Sequence, residues 1–219
     1  HPRDRRQRQM CIRDSSQLLS YLRCPRKAFL DISGDFRQQE SPSDFLLKLI
    51  KDSSAFRSSI LSNYNYQIPD YPHGSLIAGA KATELLMAAG ADVIYKGVIM
   101  SKLSTIKPPL QHQIQSDNFL SINFVSNPDL LIKQPGYSRF GDWIYIPTDI
   151  KLSKRPKLEY QIVAAFHAQI LASVQESWPE IGWLILRNKG LYNVNLHQRI
   201  QQMQESISEL IFMLQNSLE

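Results

Sequence analysis

A chain of 219 residues with 43% hydrophobic and 21% charged content has the composition of an ordinary globular protein, long enough to bury a core. No run reaches the roughly 18 to 20 apolar residues of a membrane span, the opening lacks a secretory apolar stretch, and two cysteines, Cys11 and Cys24, cannot build a disulfide framework. The expectation is therefore a cytoplasmic protein without a membrane partner. The formal charge of +5 invites a nucleic-acid reading, but residues 1–14 hold five arginines against two aspartates and supply +3 of it. That opening has no hydrophobic period, and its RQRQMCIRDS string resembles translated sequencing adapter. Residues 1–14 are thus expected to be non-native or disordered, with a basic nucleic-acid arm as the alternative, and residues 15–219 to form a single domain.

From Ser15 a helical pattern runs through Leu18, Leu19, Leu22, Ala28, Phe29 and Leu30, interrupted at Pro25. A second amphipathic helix follows through Phe45, Leu46, Leu49, Ile50, Phe56, Ile60 and Leu61, and a third spans Ser75 to Ala89, closed by Gly90. The period then changes. Asp92 to Met100 and Phe119 to Val125 read as strands joined by a polar connection with Pro108 and Pro109. Asp129 to Lys133 and Trp143 to Leu152 continue the sheet across a turn from Gln134 to Asp142, and Pro147 argues for an edge or a bulge. Lys157 to Glu176 is a long helix, Gly182 to Arg187 a short buried strand, and Asn188 to Gly190 a turn into Leu191 to Leu196. The last helix begins near Gln198, with Ile207, Leu210, Ile211 and Leu214 on one face.

Alternation along Trp143 to Leu152 puts Asp149 and Lys151 on one side and Ile144, Ile146, Ile150 and Leu152 on the other, so one face is expected to be core and the other to carry an acid and a base. Asp129, twenty residues earlier, is placed to bring a second carboxylate beside Asp149. Two carboxylates and a lysine suit phosphodiester hydrolysis, in which Mg²⁺ or Mn²⁺ is held by hard oxygen ligands and lowers the pKa of a bound water. The bland alternatives are a turn aspartate after Pro128, a solvated strand lysine and an exposed helix residue at Gln161.

The order of PDLLIK, then DIK, then a helix opening with EYQ resembles the metal-dependent PD-(D/E)xK nucleases, and within them the RecB-like branch related to the CRISPR-associated RecB-like enzymes. The similarity covers about Ser16 to Gln215 and includes SSQLLSYLRCPRKAFLD, ADVIYKGVI, NPDLLIK, DWIYIPTDIKLSK, EYQIVAAFHAQIL and GWLILRNKG in the branch's usual order. The resemblance implies an α/β restriction-endonuclease-like core, a mixed sheet flanked by helices with an N-terminal helical region. It implies a DNA nuclease with Mg²⁺ or Mn²⁺, in which Asp129 and Asp149 are metal ligands, Lys151 is catalytic and Gln161 opens the helix bordering the site. Relatives tend to be longer, so a further nuclease or helicase domain is an expected partner. Three positions depart from the pattern: Ala165 with Phe166 where a tyrosine is usual, Phe56 and Arg57 where another metal ligand is expected, and Asn127 in place of a common glycine. Glu84 is a candidate substitute ligand. The alternative function is a catalytically degenerate nuclease fold that binds nucleic acid or a partner protein.

Some relatives hold an iron–sulfur cluster, but the C-terminal cysteines it requires are missing, so no cluster is expected and Cys24 reads as a half-buried helix thiol. His73, His112, His167 and His197 lack metal-ligand spacing, and His167 reads as a core-edge residue. Lys154, Arg155 and Lys157, directly after DIK, are the expected nucleic-acid contacts, supported by Arg23, Arg26 and Lys27 on the opening helix. Tyr64, Tyr66, Tyr71 and Tyr137 are candidate stacking residues in loops.

Overall fold

Pro25 restarts the opening helix, because a proline is favoured in the first helical turn and excluded from the interior. In the computed structural model, which describes residues 11–12, 15–102, 123–188 and 190–216, α1 spans Ser15–Arg23 and α2 spans Pro25–Ser33. Cys24 is the N-cap between them: it is exposed, and its Sγ accepts from the backbone N of Lys27 at 3.4 Å. The expected half-buried thiol is therefore a capping group in solvent. Helix α3 (Asp44–Leu61) is capped by Ser43, whose hydroxyl accepts from Leu46 N, and α4 (Leu76–Ala88) is capped by Ser75 in the same way.

The predicted strand from Asp92 to Met100 is two strands in two sheets. Lys96 takes a left-handed backbone (φ 57) between β2 (Val93–Tyr95) and β3 (Ile99–Lys102), and this break redirects the chain. Strand β4 (Asn123–Ser126) pairs antiparallel with β3, and a two-residue β1 (Cys11–Ile12) adds to β4 in parallel, so part of the excluded opening joins the fold. Phe119 to Ile122, Pro108, Pro109 and His112 lie outside the described residues, as does the side chain of Leu214.

The main sheet is mixed, in the order β2, β5 (Leu130–Ser138), β6 (Gly141–Lys151), β7 (Ile181–Leu186), β8 (Gly190–Asn195). Strands β5 and β6 form a long hairpin, so the turn expected from Gln134 to Asp142 contracts to Arg139 and Phe140. Gly141 closes it at φ 137, and a Cβ there would lie 2.7 Å from the Trp143 ring, which leaves glycine as the fitting residue. Pro147 lies in a central strand, one residue before the parallel ladder to β7 begins at Thr148, so its missing N–H interrupts no bond to β7.

Helix α5 (Leu158–Gln175) makes the crossover between the parallel strands β6 and β7 and packs on both sheets, with twelve of its eighteen residues buried. A helix apolar nearly all round is an interior helix. Its Phe166 meets Phe124 of β4 edge to face at 6.0 Å, which explains an apolar pair at Ala165 and Phe166. Helix α6 (His197–Asn216) lays Met203, Ile207, Leu210 and Ile211 into the same core. On the other face of the sheet, Leu61 of α3 closes over Val93, Leu130, Ile132, Ile150 and Ile185, with Tyr64 and Tyr66 packed against that cluster. Those two tyrosines are thus structural. Tyr137 lies in β5 and not in a loop, and is 82% exposed. The chain is an α/β protein with a mixed five-stranded sheet flanked by helices. Among the described residues no helix is long and apolar enough to cross a membrane.

Candidate functional site

The β5–β6 register pairs Leu130 with Thr148, so the next step outward sets Asp129 directly across from Asp149. Two backbone bonds fix the pair: Asp129 N donates to Asp149 Oδ1 at 3.3 Å, and Ile150 N donates to Asp129 Oδ2 at 2.8 Å. Lys151, two residues along β6 and on the same face as Asp149, brings Nζ to 3.1 Å from Asp149 Oδ2. The three residues singled out in the sequence therefore meet at one end of the sheet.

The face they occupy is not an open one. Asp149 meets His167 of α5 and is only 3% exposed, and Tyr145 on the same face is fully buried, its hydroxyl donating to Ala91 O at 2.7 Å. The hairpin and the crossover helix cover the acid from both sides, so this face is core as much as the isoleucine face is. Burial is compensated by charge. His167 of α5, 2% exposed, holds Nε2 at 3.5 Å from Asp149 Oδ2, while its Nδ1 makes a close contact with Ser126 Oγ of β4. This geometry suits an imidazole with its proton on Nε2 toward the carboxylate and with Nδ1 accepting from the serine hydroxyl. His167 is thus a member of the site and not a core-edge residue.

On the second carboxylate, Arg57 of α3 brings Nε to 2.9 Å from Asp129 Oδ1. The position where a metal ligand was expected holds an arginine directed at the first aspartate. Gln161 is buried but turned away, donating to Pro156 O at 2.7 Å and accepting from Arg199 Nε at 3.1 Å. The helix period explains this: Tyr160, Ala164 and His167 share a stripe on α5, and Gln161 is about 100° away from Tyr160. Glu84 pairs with Arg139 at 2.7 Å, remote from the aspartates.

Burial works to raise the pKa of Asp149, but Lys151 and His167 outweigh it and hold the carboxyl well below the usual range. Asp129 is pushed up, by burial first and then by the negative charge of Asp149. Burial also works to lower Lys151, yet Asp149 and Asp129 raise it on balance, so it stays a cation. An acid with a depressed native pKa stabilises the fold above its unfolded value, here 3.8, and loses that contribution as pH falls through its folded value. The stability gap between wild type and Asp149→Asn, followed by chemical denaturation, is expected to shrink as pH falls below about 4.

A cleft of about 890 Å³ opens beside these residues between α1, α3, the end of β6 and the start of α5. Arg23, Arg57, Lys151, Lys157 and Arg187 line it, together with the aliphatic wall of Leu19, Leu49, Ile50 and Leu152, and among the described residues no lining residue is acidic. Tyr160 lies at its floor, with the Arg23 guanidinium 5.5 Å, Lys151 Nζ 5.6 Å and Lys157 Nζ 6.0 Å from its ring centre. Of the expected nucleic-acid contacts, Lys157 lines the cleft, whereas Lys154 and Arg155 are exposed on the loop beside it. Arg23 lines it too, and Lys27 is instead paired with Asp31.

As arranged, the aspartates do not fit a divalent cation. Two of the four carboxylate oxygens accept backbone N–H bonds, Asp129 Oδ1 faces Arg57, and Asp149 Oδ2 lies between Lys151 and His167 without an aligned hydrogen bond; the formal charges of Asp129, Asp149, Arg57 and Lys151 sum to zero. Mg²⁺ needs near-octahedral oxygen ligands, usually with several waters, and Asp149 leaves them no room. Among the described residues no group of three or more His, Cys, Asp or Glu is arranged around a common point for a metal. No family model matches this chain, and no curated protein matches it.

Proposed function

We propose that the chain is a nuclease-like domain of the RecB-like PD-(D/E)xK type that grips the phosphodiester backbone of nucleic acid without a resident metal. The observation that carries this reading is the cleft: among the described residues five basic side chains and no acid line it, beside carboxylates already neutralised within the chain. Phosphate neutralisation by Lys and Arg supplies most sequence-independent affinity for nucleic acid. Lys151, kept protonated by the aspartates, and Arg57, anchored on Asp129, present fixed cations to a phosphate, and Lys157 and Arg187 extend the track. The strand–hairpin–helix–strand order supports the nuclease-like scaffold, since PDLLIK opens β5, DIK ends β6 and α5 returns to a parallel β7.

A second reading, metal-dependent hydrolysis of DNA, is supported by the meeting of Asp129, Asp149 and Lys151 at one strand end. Anisotropy titrations of labelled single-stranded DNA, duplex DNA and RNA, in EDTA and then in Mg²⁺ or Mn²⁺, separate the two. The expected result is binding in EDTA at low salt and intact strands after incubation with either metal. Metal-dependent product would establish the hydrolase, and no binding to any strand would reject both.

A further inference from the structure

We propose that Arg57 is the resident cation of this centre: it takes the place beside Asp129 that a divalent ion would need, and so keeps the cleft side of the centre metal-free. Arg57 reaches Asp129 Oδ1 from α3, on the side where the cleft opens, while the other three carboxylate oxygens are turned to Ile150 N, Asp129 N and Lys151. Oδ1 of Asp129 is therefore the oxygen through which an ion arriving from the cleft would make its first contact. An arginine remains charged at every accessible pH, so it cannot yield the oxygen by losing a proton. Its Nε is buried and lacks an aligned hydrogen-bond partner, so charge and not directed bonding holds the contact. With Arg57 replaced by glutamate, three carboxylates would converge on the cleft end against the single charge of Lys151, a hard-oxygen set that suits Mn²⁺ or Mg²⁺.

This inference does not depend on nucleic-acid binding, and Mn²⁺ alone tests it. The electron paramagnetic resonance signal of free Mn²⁺ is followed while the full chain is added, for wild type, Arg57→Glu, Arg57→Gln and Lys48→Glu, the last making the same charge change at an exposed position of α3. Arg57→Glu is expected to bind one Mn²⁺ at least about tenfold more tightly than wild type or Lys48→Glu, a modest gain for exchanging a nearby positive charge for a ligand. Arg57→Gln, which removes the charge without adding a ligand, should fall between them. Adding Asp129→Asn to Arg57→Glu should abolish the gain. Wild type binding Mn²⁺ as tightly as Arg57→Glu would overturn the proposal, as would a gain that survives Asp129→Asn. If Arg57→Glu fails to fold, Arg57→Gln decides alone, and a folded Arg57→Gln no better than wild type counts against it.

Discussion

Asp149→Ala is expected to remove about 3 to 5 kcal/mol of folding stability, the usual cost of breaking a buried ion pair from one side. The side chain is almost fully enclosed and is shared by three neighbours: Asp129 N donates to Oδ1, while Lys151 and His167 face Oδ2. Alanine would leave the Lys151 ammonium beside the Tyr160 ring without its counter-ion, and the imidazole between Ser126 and a cavity. Water can reach Lys151 from the cleft, but it cannot reach the imidazole, which is 2% exposed. Asp129→Ala should cost less, about 1 to 3 kcal/mol, because its side chain is 17% exposed against 4% for Asp149, although Arg57 Nε and Ile150 N both lose their acceptor. Urea denaturation of the two variants gives the comparison directly. Equal and small losses would mean that Asp149 is not the keystone of a buried network.

The sequence was most legible where periodicity and punctuation agreed. Alternation and helical spacing located the helices and the β6 strand, and the pairing of Asp129 with Asp149 was readable because one precedes and the other lies in the two strands of one hairpin. Three things were not legible. The break at Lys96 leaves only a weak signal, the neighbouring Gly97, since a non-glycine residue takes the left-handed turn. Alternation assigns faces but not what covers them, so it separates the face of Asp149 and Lys151 from the isoleucine face without showing that α5 lies over it. The third is helix phase. Gln161 bonds Pro156 O and Arg199, about 100° around the helix from the stripe of Tyr160, Ala164 and His167 that faces Asp149 and Lys151. Arg57 was noted as a departure, and its role followed only when α3 was seen to bring it to Asp129.

Binding of nucleic acid should depend steeply on salt, and the dependence should map to the cleft and not to the loop beside it. If the five lining cations each release a phosphate counterion, the slope of log K against log salt is about −3.5 for a single strand and about −4.5 for a duplex. Arg57 and Lys151 are partly neutralised by the aspartates, and Arg23 faces Glu159 at 3.8 Å, so Lys157 and Arg187 are the cations whose loss is most readable. Lys157→Ala with Arg187→Ala is expected to flatten the slope by about 1.4 on a single strand and about 1.8 on a duplex. Neither side chain reaches into the core, so the double variant should melt with wild type and the change should lie in affinity alone. Lys154→Ala with Arg155→Ala removes the same charge from outside the cleft and should change the slope by less than half as much. Equal effects from the two pairs would mean that the protein attracts nucleic acid by its general positive charge, and that the cleft is not the track along which the backbone lies.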